Sequence, residues 1–149
     1  IERLREHAPD VARRVRIVLN PAEALRGADV ICTATPSTTA LFADAAVEPG
    51  THINAVGAYT PKMQEIPPAT VARARVVVDQ REAAWAEAGD LVIARDLGEL
   101  ANGTKLGRQS PDEITFFKSV GNAVQDIAVG RRAVDRARDQ GRGQTINLS

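Results

Sequence analysis

Three short stretches of small and hydroxylated residues are the parts of this chain whose side chains could bind a ligand. They are Thr33-Ala34-Thr35-Pro36-Ser37, Gly57-Ala58-Tyr59-Thr60-Pro61 and Phe117-Lys118-Ser119-Val120-Gly121. Each follows or ends a run of apolar and β-branched residues that predicts a short buried strand. Small residues let a ligand approach the backbone closely, and the hydroxyls offer hydrogen bonds to ribose, phosphate or an amide. The three stretches are therefore candidate binding segments.

Each stretch also has a purely structural interpretation. The segment around Thr35 is compatible with an ordinary loop held by side-chain-to-backbone bonds. Tyr59 is compatible with a surface aromatic in a tight turn, and Ser119 with the N-cap of a helix, which is the better interpretation of that element alone. The carboxyl ends of parallel strands meet at one sheet edge, so three such ends together favour a shared binding crevice.

The elements that would position these stretches alternate between strand and helix. Apolar runs predict strands at Val15–Leu19, Asp29–Ala34, His52–Val56, Arg75–Asp79 and Glu113–Lys118. Helices are predicted over Ile1–Ala12, Pro21–Arg26, Pro67–Ala74, Gln80–Ala88 and Ser119–Arg138, with a loop and a short helix over Ile93–Leu100. Strands alternating with helices at short spacing predict an α/β fold with a mostly parallel sheet and a long C-terminal helix.

The composition excludes several classes of function. The 149 residues carry 19 basic and 19 acidic side chains, so the zero net charge favours neither nucleic acid nor an anionic membrane surface. One cysteine, Cys32, and two distant histidines give no disulfide framework and no metal-ligand spacing. Cys32, Met63 and Trp85 are interpreted as packing residues, with Cys32 in a strand covered on both faces. A reducing cytoplasm is the predicted location.

The start of the chain predicts that a preceding portion is missing. Ile1 is not a methionine, and Glu2 to His7 already has the pattern of a helix interior. No G-x-G-x-x-G phosphate-binding turn occurs, and no acidic residue is placed after one to hold a ribose. Either the site is of another kind, or the first βαβ unit lies outside this chain.

Asp79, at the end of a strand, is as compatible with a structural cap as with a functional role.

Several of these segments resemble the ornithine cyclodeaminase/μ-crystallin family in the same order along the chain. The matching residues are Ala28 to Ser37, Pro49 to Pro61, Val77-Val78-Asp79, Ala88-Gly89-Asp90, Gly107-Arg108, Ile114 to Gly121 and Ala123-Val124-Gln125-Asp126. The resemblance implies a Rossmann-type NAD(P)-binding domain, here without its first βαβ unit. A second domain, built from both chain ends, would bind substrate and form a homodimer. Residues 1–120 would belong to the first domain and residues 121–149 would return toward the second.

The resemblance also implies roles for individual residues. Val120 would contact substrate, and Tyr59 stands where cyclodeaminases carry an Asp that acts on the substrate amine. The cofactor, NAD or NADP, would be bound by Thr35, Pro36, Ser37, Val56, Gly57, Ala58 and Ser119, with Ser119 bonding the nicotinamide amide. The Lys and Arg that hold the substrate carboxylate would lie in the missing portion.

Three functions follow as hypotheses from this resemblance. The first is an oxidoreductase that transfers hydride between NAD(P)H and the C=N carbon of a small imino acid, as a ketimine reductase does. The second is an ornithine or lysine cyclodeaminase with tightly bound NAD, which the phenol of Tyr59 in place of Asp disfavours. The third is a crystallin-like NADPH-binding protein without turnover. Tyr59 is the predicted catalytic residue of the first.

Overall fold

The fold is organised around one parallel sheet. A computed structural model describes residues 2–91, 95–96, 103–144 and 146 of the chain. The strands are β1 (Val30–Thr33), β2 (His52–Ala55), β3 (Arg75–Val78), β4 (Arg95–Asp96) and β5 (Thr115–Lys118). They lie in the order β1-β2-β5-β3-β4, and every neighbouring pair is parallel. The predicted α/β fold is therefore confirmed.

The helices are short except for the last one. They are α1 (Glu2–His7), α2 (Pro9–Ala12), α3 (Pro21–Leu25), α4 (Pro68–Arg73), α5 (Arg81–Glu87) and α6 (Ala123–Asp139), with a 3-10 turn at Asp44–Ala46. The predicted caps of α3 are confirmed: the Asn20 side chain accepts the Ala22 N–H at 2.9 Å, and Gly27 follows the helix with a φ of 67°. None of the described helices combines the length and the apolar character that a membrane span requires.

The register of the sheet aligns the carboxyl ends of four strands. Thr33 of β1 lies beside Ala55 of β2, Ala55 beside Lys118 of β5, and Lys118 beside Val78 of β3. The residues that follow, Ala34, Val56, Ser119 and Asp79, consequently begin at the same height along one edge. This alignment positions the candidate site, because the binding crevice of an open parallel sheet lies beyond the carboxyl ends of its strands.

The apolar core lies against one face of the sheet. Alternate residues of β1, β2 and β5 are buried, as a period of two requires. The buried cluster comprises Leu25, Ile31, Val47, Ile53, Ala55, Ile66, Val71, Val76, Ile114 and Phe116. α4 contributes Val71 and the segment before it contributes Ile66, so residues just beyond the candidate site are fixed by core packing.

The prediction of a strand at Val15–Leu19 is wrong. The segment has no strand assignment, and the side chains of Ile17 and Leu19 are 66% and 98% exposed. A strand requires a neighbour for its backbone groups, and among the described residues β1 pairs only with β2. An apolar pattern alone therefore does not produce a strand here.

Predictions of burial for Cys32 and Trp85 are also wrong. Cys32 is exposed, and Val30 beside it is 57% exposed, because no described element covers that face of β1. β1 is therefore not covered on both faces as predicted. Trp85 is 63% exposed on the outer side of α5, whereas Ala84 faces inward.

The long C-terminal helix begins later than predicted. Gly121 has a φ of 92°, which is not helical, and the Asn122 side chain accepts the Val124 N–H at 3.0 Å. Asn122 is therefore the N-cap of α6, and the interpretation of Ser119 as the cap is wrong. The predicted loop and helix over Ile93–Leu100 lie outside the described residues, apart from the short strand Arg95–Asp96.

Candidate functional site

The loops after β1 and β2 form an open cleft at the carboxyl edge of the sheet. Its volume is about 310 Å³, and its lining consists of Ala34, Thr35, Pro36, Val56, Gly57 and Tyr59. Tyr59 is 54% exposed and Val56 48% exposed, so both side chains face the open side. Two of the three candidate binding segments therefore meet in one cleft.

The third segment lies next to this cleft rather than in its lining. The Ser119 N–H donates to the Ala55 carbonyl at 3.2 Å, which places Ser119 beside the residue that precedes Val56. Val120 follows it and is half-buried. The three strand ends are thus contiguous at one sheet edge, as the strand pattern predicts.

Two residues predicted to bind cofactor have other surroundings. Ala58 is fully buried, and its side chain is absent from the cleft lining. The Ser37 hydroxyl donates to the Thr39 carbonyl at 2.6 Å and accepts the Thr39 N–H at 3.2 Å. Ser37 therefore holds its own turn, and the structure brings Thr35, Pro36, Val56, Gly57 and Tyr59 together without it.

Glu65 connects the two loops of the cleft from below. One carboxylate oxygen accepts the Thr35 N–H at 2.6 Å and the Thr35 hydroxyl at 2.9 Å. The other oxygen accepts the Thr33 hydroxyl at 2.9 Å and the backbone N–H groups of Gly57 and Ala58 at 2.8 and 3.3 Å. A single fully buried side chain therefore fixes the end of β1 against the end of β2.

Local backbone pairing places Glu65 at this position. Gln64 pairs with Thr38 in a parallel bridge, and the Gln64 N–H donates to the Ser37 carbonyl at 2.9 Å. The Leu41 N–H donates to the Glu65 carbonyl at the same distance. The segment before α4 thus runs alongside the loop after β1, and Ile66 anchors it in the core.

Hydrogen bonding keeps Glu65 ionised. Burial alone raises the pKa of a carboxyl, but the bonds from Thr35, Thr33 and Gly57 outweigh burial and hold the pKa of Glu65 below its ordinary value. Ionised oxygens accept hydrogen bonds only, which matches the five donors that surround this carboxylate.

Two further buried charges lie below the site. Lys118 is fully buried, and its ammonium donates to the Ala55 carbonyl at 3.4 Å. The Glu65 backbone N–H lies close enough to the buried Asp90 carboxylate to lower its pKa, but neither carboxylate oxygen has a partner at full hydrogen-bonding geometry among the described residues. Burial raises the pKa of Asp90, opposed by the charge of Lys118, and burial lowers the pKa of Lys118, opposed by the charges of Asp90 and Glu65. The charge states of Asp90 and Lys118 therefore depend on each other, and the charge of Glu65 acts on both.

We predict that Asp90→Asn lowers the pKa of Lys118 further, because it removes a negative charge that favours the ammonium. A group whose pKa is lower in the fold than in the unfolded chain adds stability as pH rises between the two values. In Asp90→Asn this rise should therefore begin at a lower pH. NMR titration of the Lys118 side chain measures the shift directly.

Asp112→Asn is the matched control for this titration, because Asp112 is exposed in the loop before β5 at the opposite edge of the sheet. The control should leave the Lys118 titration unchanged. An unchanged Lys118 pKa in Asp90→Asn would contradict the dependence between the two groups.

Sequence reasoning gave no role at the site to Glu65, Asp90 or Lys118, although Lys118 lies within the third candidate segment. Glu65 is one of 19 acidic residues, and no motif in the sequence singles it out. Lys118 carried a usable signal, because it stands two residues after buried Phe116 and therefore on the core face of β5. A lysine at a core position indicates a paired or functional charge.

Among the described residues, no group of three or more His, Cys, Asp or Glu side chains is arranged to hold a metal ion.

Comparison with known proteins assigns the family. A model described as the ornithine cyclodeaminase/mu-crystallin family matches residues 1–141. The chain belongs to this family. The resemblance seen in the sequence motifs is therefore confirmed.

Members of this family that resemble the chain include reductases and dehydrogenases. A Delta(1)-pyrroline-2-carboxylate reductase of Bacillus cereus is 44% identical over 142 residues, which are 87% of this chain and 43% of that protein. The structure of the Thermococcus litoralis Delta(1)-pyrroline-2-carboxylate reductase with NADH and L-proline has a TM-score of 0.78 at 31% identity, over 87% of this chain and 44% of the other. An archaeal alanine dehydrogenase dimer with bound NAD has a TM-score of 0.77 at 32% identity, over 99% and 49% of the two chains. This chain spans less than half the length of each.

Proposed function

We propose that this chain forms part of an NAD(P)-dependent reductase of small imino acids. The observation that carries the proposal is the cleft between Thr35 and Gly57, with Ser119 beside it at the aligned strand ends. Family membership and the bound NADH and NAD of two similar structures support it. The reduction of a cyclic imino acid is the reaction that the name of the Bacillus cereus relative suggests.

The residues present fit a nicotinamide at this edge. Gly57 has no Cβ, so the loop after β2 can lie directly against Thr35 and Glu65. Pro36 and Val56 line the cleft and supply apolar side chains against which a flat ring can pack. The Ser119 hydroxyl keeps a lone pair without a partner among the described residues. When bound, the cofactor supplies the hydride. The chain's own residues orient the ring and exclude water from its face.

Tyr59 is the proposed proton donor to the imine nitrogen. Its phenol lies at the cleft, is 54% exposed and can donate a hydrogen bond, unlike the carboxylate of an Asp at this position. We predict that Tyr59→Phe lowers kcat about 10²-fold or more, the usual contribution of a positioned acid, with little change in cofactor affinity. Turnover that survives this substitution would contradict the proton role.

The function is tested on the complete native protein. NADH or NADPH oxidation is followed with Delta(1)-pyrroline-2-carboxylate and related cyclic imino acids, and ammonia release is followed with ornithine and lysine without added cofactor. We expect cofactor oxidation that depends on the imino acid. Ammonia release without imine reduction would instead identify a cyclodeaminase, and cofactor binding without any turnover a binding protein.

The outer surface of α6 supports a homodimer as the assembly. α6 has no buried residue and exposes Val124, Ile127, Val129 and Val134 by between 48% and 70%. Apolar side chains grouped on one exposed helix are characteristic of interfaces. We propose that residues 121–149 belong to the substrate-binding and dimer-forming part of the protein, consistent with the dimeric archaeal alanine dehydrogenase.

A further inference from the structure

Asp79 has a place at the site that strand capping does not explain. One of its carboxylate oxygens accepts the Gln80 N–H at 2.9 Å, which is a local bond at the start of α5. The other oxygen accepts the Ser119 hydroxyl at 2.7 Å and the Gly121 N–H at 3.1 Å. Asp79 therefore reaches across from β3 to the end of β5 and holds the side chain of Ser119.

This contact fixes the direction of the Ser119 hydroxyl. A hydroxyl has one hydrogen and two lone pairs, and an ionised carboxylate can only accept. The hydrogen of Ser119 is therefore committed to Asp79, and one lone pair faces the Gly121 N–H at 3.2 Å. What the hydroxyl can still offer to a ligand is its second lone pair, so Ser119 can accept a hydrogen bond from a ligand but not donate one.

We infer that Asp79 is a positioning residue that makes Ser119 an acceptor for the NH₂ group of a nicotinamide amide. The inference rests on the proposed function, in which Ser119 meets this amide. A carboxamide presents a donor on one side and an acceptor on the other, and these two sides differ little in shape. Asp79 thus determines which way round the amide lies, because only its NH₂ side complements the remaining lone pair of Ser119.

The local backbone maintains this arrangement. Ser119 is nearly buried, and its own N–H is bonded to the Ala55 carbonyl, which leaves the side chain little room to rotate away. Gly121 has a φ of 92°, a conformation that favours glycine and turns its N–H toward Asp79 and Ser119. Because α6 is capped separately by Asn122, neither Asp79 nor Ser119 is needed to begin that helix.

The test compares two cofactors that differ only at the amide. In the reduced 3-acetylpyridine analogue, a methyl group replaces the NH₂ while the carbonyl remains. Dissociation constants for NADH, or NADPH if it binds more tightly, and for the matching analogue are measured on the complete native protein. We expect the natural cofactor to bind about fivefold to tenfold more tightly, the ratio that one hydrogen bond supplies.

Variants then assign this preference to the two residues. Ser119→Ala should bring the ratio close to one, because the acceptor is gone. Asp79→Ala should also reduce it, because the released hydroxyl can donate to the carbonyl that both cofactors share. Glu82→Ala, in the exposed first turn of α5, is the matched control and should keep the wild-type ratio. Asp79→Leu, which likewise carries no acceptor, is the second variant if Asp79→Ala unfolds.

Each outcome has a definite meaning. A wild-type protein that binds NADH and its analogue equally, or an Asp79→Ala protein that retains the wild-type ratio, would overturn the role of Asp79 and leave the proposed function standing. A native protein that binds neither NADH nor NADPH would overturn both. A merely structural role for Asp79 would weaken both cofactors together and leave their ratio unchanged.

Discussion

Replacing Glu65 with alanine is expected to lower the free energy of unfolding by about 3–5 kcal/mol and to abolish measurable cofactor binding. The carboxylate accepts three backbone N–H groups and two hydroxyls, and it is fully buried. The hydroxyls can rotate toward other acceptors, but the N–H groups of Thr35, Gly57 and Ala58 cannot. Each buried donor without a partner costs about 1–3 kcal/mol.

Glu65→Gln separates the charge from the volume of this side chain. The amide keeps the size of the side chain but replaces one acceptor oxygen with an NH₂ donor. In one orientation this NH₂ group faces the Thr35 N–H, and in the other it faces the N–H groups of Gly57 and Ala58. We therefore expect Glu65→Gln to destabilise the protein by about 2–4 kcal/mol rather than to rescue it. Glu48→Ala is the control, since the exposed Glu48 accepts a single backbone N–H, that of Gly27. Its cost should be about 0.5–1.5 kcal/mol.

The pH dependence gives an independent readout of the same residue. The pKa of Glu65 is lower in the fold than its ordinary value of 4.5, so the unfolded chain takes up the proton first. The stability from this group is fully present above pH 4.5 and is lost as the pH falls through the folded-state value. The stability difference between wild type and Glu65→Gln should therefore shrink below pH 4.5. A difference that stays constant down to acid unfolding would contradict the assignment.

The sequence predicts the local features of this fold well. Four of the five described strands and both caps of α3 follow from apolar runs, Asn20, Pro21 and Gly27, because these signals act within a few residues. The prediction of a strand at Val15–Leu19 is wrong because strand formation there depends on a distant part of the chain. Whether an apolar run becomes a strand depends on a neighbour elsewhere in the chain, and the run itself carries no information about that neighbour.

The candidate site likewise has parts that local sequence predicts and parts that depend on contacts between distant residues. Thr35, Gly57 and Ser119 are recognisable because each follows a strand, and parallel strands bring their ends together. The contacts that support them join residues far apart: Glu65 is 30 positions from Thr35, and Asp79 is 40 positions from Ser119. Those pairings depend on strand order and register, which place β5 between β2 and β3. Of the buried charged residues that support the site, Lys118 is the one that spacing alone could have identified, because it stands at a core position of a strand.

Replacing Gly57 with alanine is the second substitution with a large expected effect. A Cβ at this position would overlap the backbone N and O atoms of Thr35 and the carboxylate of Glu65. Two of these three contacts are with backbone, which cannot move aside as a flexible side chain can. The loop after β2 must therefore shift away from the loop after β1, and this movement breaks the hydrogen bonds from Gly57 and Ala58 to Glu65.

We expect Gly57→Ala to lower the free energy of unfolding by about 2–4 kcal/mol and to weaken cofactor binding at least about tenfold. Chemical denaturation and cofactor titration of the native protein measure the two effects. Gly107→Ala is the matched control, because a Cβ there meets no atom within 4 Å. Its stability should stay within about 0.5 kcal/mol of wild type. A Gly57→Ala protein as stable as this control would contradict the close approach of the two loops.

Combining Gly57→Ala with Glu65→Ala tests whether the two residues act on the same contact. In the Glu65→Ala background, one of the atoms that the new Cβ overlaps has been removed, and the hydrogen bonds that its insertion would break are already lost. Gly57→Ala should then cost less than it does alone, with a coupling of about 1–2 kcal/mol between the two substitutions. Costs that simply add would mean that Gly57 acts through Thr35 alone. In that case the spacing of the cleft would depend on backbone contact rather than on the carboxylate beneath it.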